Sequence, residues 1–366
     1  MKKRLFILSV AGGYGGAERS IEVLLRHMPA DLDVIVYAAH PEHLARLRAL
    51  AGGAIRLVRL PEGRTANTRR LAALRFAADV ARHKPDAILV NTLAGARIAA
   101  TAARLVPGLG RRCHLYVHDF LWHDLGAIFD RLAGARLIVP HPVVVARIGY
   151  LHPFHLQRDG APGYAVVPAP VELPTGAVTY DGPILHLATV NPWKGHADLL
   201  LAAARPEAAP IAIRSVGIAD DTALLRQLTA LQARLGISAD RFERLDYVPD
   251  PAPLLRTCRA VVVPSVSHSG GPETFSRALV EAWAWRKPVV AYATGAPAAL
   301  IAHGVDGLLV PEGDIAALAA ALAQLAASPD LARRLGAAGH AKAAARFAAP
   351  AVTAHLLHAL GLAAAS

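Results

Sequence analysis

Glu273, Arg277 and Glu281 recur every four residues in the stretch PSVSHSGGPETFSRALVEAWAWRKPVVA, residues 264–291. At about 100° per residue, each step of four on a helix returns within roughly 40° of the same direction, so this spacing predicts one charged stripe. Phe275, Leu279, Ala282 and Trp283 then fall on the opposite side, where they can pack. A stripe of this kind also serves as a solvated face braced by i,i+4 ion pairs. Its place favours the chemical reading: the stripe follows the apolar run AVVV at 260–263 and a polar loop with Gly270 and Gly271, and precedes a second strand from Pro288 to Tyr292. Strand, glycine loop, helix and strand in that order aim a helix N-terminus at a phosphate.

Other residues carry the same implication. Lys194 and Gly195 lie between the apolar run HLATV and a helical pattern at 196–204, and a compact ammonium at a helix entrance suits a phosphate oxygen. Gly12, Gly13, Gly15 and Gly16 follow the first apolar run and open a helix near Ala17, so their amides can approach an anion or simply permit a tight turn. The spacing is not G-x-G-x-x-G, and DVIVYA ends without an acidic residue, which argues against a dinucleotide. His118 and Asp119 end the run HLYVH at a strand's C-terminal rim. His123 and Asp124 nearby find no supporting ligands at a metal-binding spacing, and the Asp31/Asp33 pair reads as a turn before a strand, so no metal is expected.

Alternating elements must hold these groups in place. Apolar runs LFILSV, DVIVYA, IRLVRL, AILVN, HLYVH and RLIVP alternate with helical patterns at 17–27, 42–50, 67–83 and 94–105. A second series, ILHLATV, IAIRSV, RLDYV, AVVV, PVVAYA and GLLVP, follows a Pro- and Gly-rich lapse at 157–179. Alternation of this kind predicts parallel sheets with helices on both faces. A chain of 366 residues is also too long for one ordinary core. We therefore expect an α/β protein of two Rossmann-like doubly wound domains, 1–175 and 176–349, facing each other across a cleft, with a C-terminal helix at 350–366 crossing back onto the first.

These motifs resemble a known family. Glu273, seven residues and Glu281, followed by Ala282, Trp283 and PVVA, are similar to the signature of retaining GT-B glycosyltransferases of family four, the glycosyl transferases group 1. GGYGGAERS, HDF and VNPWKGHADLLLAA extend the resemblance over most of the chain. It implies that Lys194 clamps the donor diphosphate, Glu281 accepts from the ribose hydroxyls and Glu273 holds the transferred sugar. The loop of Gly15 and Gly16 would face the diphosphate and acceptor, and His118 would meet the reacting region of the sugar. Phe275 and Ser276 are assigned to the donor site, and the backbone at Tyr247 and Val248 to the base. Ser276 stands where the family commonly has Gly, and its hydroxyl bears on donor preference. His268 and Ser269, in a loop longer than the family minimum, are further sugar contacts. The family's Arg five residues before the lysine is replaced here by Thr189, and Arg277 is the expected substitute cation.

Charge and composition bound the partners. Residues 1–175 hold 23 Lys and Arg against 13 Asp and Glu, a net of +10, and the rest 16 against 15, so nearly all of the excess of +11 sits in the first half. That half should meet an anionic membrane surface or a lipid diphosphate. No basic segment interleaved with aromatics, no helix-turn-helix pattern and no metal-finger spacing points to nucleic acid. Lys2, Lys3 and Arg4 before LFILSVA imitate a secretory leader, but the short run flows straight into a Gly turn and reads better as a first strand. Cys113 and Cys258 read as small core residues of a reduced compartment. The expectation is a cytoplasmic enzyme, peripheral on the inner face of the plasma membrane. It needs no cofactor and moves a sugar from a nucleotide-diphosphate sugar to a glycan or lipid-linked acceptor. A GT-B epimerase, or a nucleotide-sugar binding protein that has lost turnover, is the alternative.

Overall fold

Apolar runs too short for helices, buried on both faces, satisfy their backbone groups by pairing in parallel, with helices as the crossovers. The computed structural model describes residues 2–10, 13–63, 65–118, 125–151, 157–158, 161–269 and 271–363, and it has this architecture twice. The chain divides into one unit of Met1–Pro170 with Ala349–Ser366 and a second of Val171–Ala348.

In the first unit β1 (Arg4–Ser9), α1 (Gly16–Arg26), β2 (Asp33–Ala38), α2 (Pro41–Leu50), β3 (Ile55–Arg59) and α3 (Ala66–His83) form one half. The other half comprises β4 (Ala87–Asn91), α4 (Thr92–Ala102), β5 (Cys113–Tyr116), α5 (Leu125–Arg131), β6 (Arg136–Val139), α6 (Pro142–Leu151), the short antiparallel pair β7 (Gln157–Arg158) and β8 (Ala161–Pro162), and β9 (Tyr164–Val166). Seven parallel strands take the order β3-β2-β1-β4-β5-β6-β9. Strand order reverses at β1, between β2 and β4, and the crevice of such a sheet opens beyond the strand's C-terminal end.

The second unit repeats the plan with β10 (Ile184–Leu187), α7 (His196–Ala203), β11 (Ile213–Val216), α8 (Thr222–Arg234), β12 (Phe242–Leu245), α9 (Ala252–Thr257) and β13 (Ala260–Val263). It continues through α10 (Arg277–Ala284), β14 (Val289–Tyr292), α11 (Gly295–Leu300), β15 (Leu308–Val310), α12 (Ile315–Ala327) and α13 (Pro329–Arg346). The strand order is β12-β11-β10-β13-β14-β15, all parallel, and the reversal falls at β10. The last helix, α14 (Ala349–Ala359), returns to the first unit, where Val352, Leu356 and Leu357 join Leu5, Ile7, Ile21 and Leu24 in one core. Thr65, Asp221, Asp314 and Ser328 cap α3, α8, α12 and α13 by accepting a first-turn amide.

One expectation is corrected here. The stripe from Glu273 to Glu281 is not all helix: α10 begins at Arg277, and Ser276 before it has a left-handed φ of 71°. A residue turned that way cannot sit inside a right-handed helix, so Glu273 belongs to the preceding loop and only Arg277 and Glu281 share a helical face. Both cysteines are buried free thiols, each pushed up to about 12 chiefly by burial, and so are held protonated and inert. Among the described residues no single helix is long and apolar enough to cross a membrane.

Candidate active site

In the second unit the reversal of strand order places two loops side by side, one after β10 and one after β13. Lys194 ends a short 3₁₀ turn, Pro192–Lys194, and Gly195 follows with φ 71°. A Cβ at Gly195 would stand 1.8 Å from the carbonyl oxygen of Pro264, so only glycine lets the two loops touch backbone to backbone. The amide of Val266 also donates to the carbonyl of Trp193 at 2.9 Å. This approach brings Lys194 Nζ to 2.6 Å from Glu273 Oε1, although the residues are 79 apart in sequence. Ser265 Oγ donates to the same oxygen at 2.8 Å, and the Lys194 ammonium stands 3.8 Å from the centre of the Trp193 ring.

Glu273 is fixed from behind as well. Its carbonyl accepts from the amide of Ala296 at 2.9 Å, and a Cβ at Gly295 would come within 2.5 Å of that carbonyl oxygen. Further along, Arg277 Nη2 donates to Glu281 Oε1 at 2.7 Å, a one-turn pair with both side chains largely buried. Phe275 is 4% exposed and packs edge-on against Phe347, so its ring belongs to the core. Ser276 is buried at the helix entrance, whereas His268 and Ser269 are exposed and bonded to each other at 3.1 Å. Val248 is half-buried in the loop after β12. Glu312 pins the β13 loop by accepting from the Ser267 amide and hydroxyl at 2.6 and 2.8 Å.

Behind the lysine loop sit two histidines that the motifs did not single out. His196 Nε2 bonds the carbonyl of Thr189 at 3.1 Å, and Ser215 Oγ lies 3.1 Å from His186 Nδ1 and 3.5 Å from His196 Nδ1. The rings meet edge-on at 4.5 Å. Burial lowers the pKa of both, that of His186 well below the usual imidazole range, and the neighbouring charge of Lys194 works in the same direction. Both are therefore neutral props for the 189–194 turn. Thr189 contributes its carbonyl to that prop.

In the first unit the groups of the β1 crevice form a continuous hydrogen-bonded chain. Asn91 Oδ1 accepts from His118 Nε2 at 2.7 Å, which places that ring's proton on Nε2. Asn91 Nδ2 donates to Ser9 Oγ at 3.0 Å, Ser9 Oγ lies 3.0 Å from His43 Nε2, and His43 Nδ1 lies 2.8 Å from Glu22 Oε1. Tyr14 OH closes the chain on Glu22 Oε2 at 2.9 Å. Ser9, Glu22, His43 and Asn91 are all buried, so the chain is a fully bonded polar network inside an apolar unit. The sequence offered only its visible end, His118.

Gly15 and Gly16 open α1, but the Gly15 amide already has an anionic partner: Glu18 Oε2 accepts from it at 3.0 Å. Glu18 is 3% exposed, its Oε1 has no hydrogen-bond partner, and burial raises its pKa. A carboxylate in that position favours a ligand bringing hydroxyls over one bringing phosphate. Asp33 pairs with Arg4 and Arg56 at 2.5 and 3.0 Å, a structural cluster at the start of β2. Gly12, Asp119, His123, Asp124 and Gly270 lie outside the described residues.

Comparison with known proteins bears on the family and the fold. Residues 182–328 match the family described as glycosyl transferases group 1, and the whole chain has the GT-B fold. It superposes on the Anabaena protein HepE, crystallised with UDP-glucose, with a TM-score of 0.81 at 20% identity over 98% of this chain and 99% of that one. Among curated relatives, a D-inositol 3-phosphate glycosyltransferase of Thermobispora bispora is 34% identical over 182 residues, 47% of this chain and 41% of that protein. An exopolysaccharide phosphotransferase of Streptomyces coelicolor is 46% identical over 79 residues, 21% of this chain and 8% of that protein. The matched stretches therefore span less than half of these relatives' lengths.

Proposed function

We propose that the chain is a retaining, metal-independent glycosyltransferase, of hexosyltransferase type, that moves a sugar from a nucleotide-diphosphate sugar to a cell-surface glycan precursor. The observation that carries the reading is the Lys194–Glu273–Ser265 cluster at the two strand ends where the second sheet reverses. A nucleotide diphosphate entering there meets an ammonium and the N-terminus of α10, and a sugar beside it meets a carboxylate that can accept from its hydroxyls. Glu281, a turn deeper, is suited to the ribose, with Arg277 beside it. The UDP-glucose complex of HepE supports a nucleotide-sugar donor.

In the reaction the acceptor oxygen bonds the anomeric carbon on the face from which the β-phosphate oxygen departs, and the acceptor's proton passes to that departing oxygen. Lys194 stabilises the charge that develops there. His118, with its proton held on Nε2 by Asn91, and the hydroxyl-favouring site at Gly15, Gly16 and Glu18 belong to the acceptor side. The positive excess of residues 1–175 supports a lipid-linked acceptor reached from the cytoplasmic face of an anionic membrane. Thr189, in place of an arginine, keeps open a second reading in which the protein binds a nucleotide sugar without turning it over.

Calorimetric titration with UDP, GDP and dTDP, in the wild type and Glu281→Gln, tests the donor site. One nucleotide should bind and lose at least tenfold in affinity in the variant. Absence of binding by all three would sink the proposal, and binding without transfer or hydrolysis of any matching nucleotide sugar would favour the second reading.

A further inference from the structure

The hydrogen bonds beneath His118 run in one direction, and that direction is set at their far end. Asn91 Nδ2 has two acceptors in reach, Ser9 Oγ at 3.0 Å and the Ala17 carbonyl at 3.4 Å. A carbonyl cannot donate, so this side of the amide is its nitrogen, and Oδ1 is left to face His118. Ser9 Oγ accepts from Asn91, which turns its own proton toward its other partner, His43 Nε2, at 3.0 Å. His43 then carries its proton on Nδ1 and donates it to Glu22 Oε1 at 2.8 Å. Were both ring nitrogens protonated, the buried Ser9 hydroxyl would have no acceptor for its proton. Every bond from His118 onward therefore points toward the Glu22 carboxylate, whose second oxygen accepts from Tyr14.

The backbone shows that Asn91 is committed to this chain. It is the N-cap of α4, where an asparagine ordinarily accepts from a first-turn amide, yet its side chain makes no such bond. Beside it Thr92 has φ 81°, a left-handed conformation that a β-branched residue rarely takes and that persists only where the surroundings enforce it. The enforcement is visible: the Thr92 hydroxyl donates to the Val10 carbonyl, and a Cβ at Gly95 would stand 2.9 Å from the Leu8 carbonyl oxygen. Both contacts press the start of α4 onto the end of β1. Stability alone does not account for the buried Glu22–His43 pair, since apolar replacement of such pairs is often neutral or stabilising.

We propose that Glu22 and His43 are positioning residues which, acting through Ser9 and Asn91, fix the tautomer of His118 with the proton on Nε2 and the lone pair on Nδ1. The consequence for turnover rests on the placement of His118 beside the reacting groups, whereas the tautomer itself is read without any substrate. Removing the carboxylate reverses the chain. In Glu22→Leu the His43 ring loses its acceptor at Nδ1 and moves the proton to Nε2, where it donates to Ser9. Ser9 then donates to Asn91, whose amide turns over, giving up only the long bond to Ala17, and presents Nδ2 to His118. The His118 proton shifts to Nδ1, and every buried proton of the chain is bonded again.

The full chain, isotope-labelled at histidine, is observed by long-range proton–nitrogen correlation, which reports the tautomer of each ring; His118 is identified by the signals lost in His118→Gln. The wild type should show the Nε2 proton. Glu22→Leu should convert His118 to the Nδ1 tautomer. So should Glu22→Leu combined with His43→Phe, in which Ser9 has only Asn91 left to receive its proton; this apolar pair carries the test if the single variant does not fold. Tyr14→Phe removes a donor from Glu22 but leaves the direction of the chain intact, so His118 should stay as in the wild type. Hydrolysis of the nucleotide sugar that binds should fall about two- to tenfold in Glu22→Leu, the worth of one hydrogen bond, with nucleotide affinity unchanged. Retention of the Nε2 proton in both Glu22 variants would overturn the proposal and leave the pair as a brace. Conversion in Tyr14→Phe as well would overturn it in favour of a general loosening of the unit. A switched tautomer with full turnover would uphold the relay and count against the placement of His118 in the reaction.

Discussion

Replacing Lys194 by Met breaks the ion pair on which the donor reading turns. The Lys194 side chain is 19% exposed and that of Glu273 9%, so the substitution strands a nearly buried carboxylate. Removing one partner of a buried pair costs about 3–5 kcal/mol; with the Ser265 hydroxyl still donating, about 3 kcal/mol is the expected loss. In a unit of this size each kcal/mol moves the melting temperature by about 2–4 °C, which gives a fall of about 6–12 °C. Adding Glu273→Gln removes the stranded charge while keeping the shape, so the double variant should melt above Lys194→Met. Thermal unfolding of the two single variants and the double gives the coupling directly, expected near 2 kcal/mol and well outside the roughly 0.5 kcal/mol within which independent sites add. Turnover follows a different course: loss of the cation at the departing diphosphate costs about 10²- to 10³-fold, and Glu273→Gln should restore none of it. Additive melting shifts would refute the ion pair, and turnover recovering together with stability would refute the catalytic role of Lys194 and leave it as a brace.

Asn91→Leu should lower kcat with little change in KM for the donor, because it removes the acceptor of the His118 Nε2 proton and interrupts the chain to Ser9, while Asn91→Asp should move the acid limb of the pH–rate profile upward by placing a carboxylate on the imidazole; an unchanged profile in Asn91→Asp counts against the network. His186 and His196 are held neutral in the folded unit but take a proton near pH 6.5 when unfolded, so the unfolded chain binds more protons below that value. Stability that is complete above about pH 6.5 should therefore fall as the pH drops through it, and His196→Gln, which keeps a donor for the Thr189 carbonyl, should flatten the decline in melting temperature; an identical decline assigns the acid sensitivity elsewhere. Arg277→Ala leaves Glu281 without its 2.7 Å partner, and if the arginine also serves as the second cation its loss should lower turnover more than stability, with Thr189→Arg restoring part of the rate. Wild-type turnover in Arg277→Ala would remove it from the donor site.

The amino-acid sequence by itself determined the repeating architecture, because a strand buried on both faces must be a short apolar run and a crossover helix must carry its own period. AILVN and AVVV became β4 and β13 for that reason. It also determined where charge accumulates and which residues stand at strand ends, Lys194 and His118 among them. Where local propensity and packing conflict, packing won: PVVVARIGYL, rich in β-branched residues, is the helix α6, started by Pro142 in its first turn. The spacing of Glu273, Arg277 and Glu281 suggested one stripe, but a stripe exists only while the backbone stays helical, and the left-handed Ser276 ends it one turn early. The side-chain partnerships of the candidate site were out of reach of any local pattern. Glu273 meets Lys194 because β10 and β13 are neighbours at the point where the sheet reverses, and because Gly195 alone allows their loops to close on each other. Ser9, Glu22, His43 and Asn91 join His118 for the same reason at β1: parallel crossovers carry distant residues to one strand edge, and a buried polar group, once there, must find whichever partner the crossover has delivered.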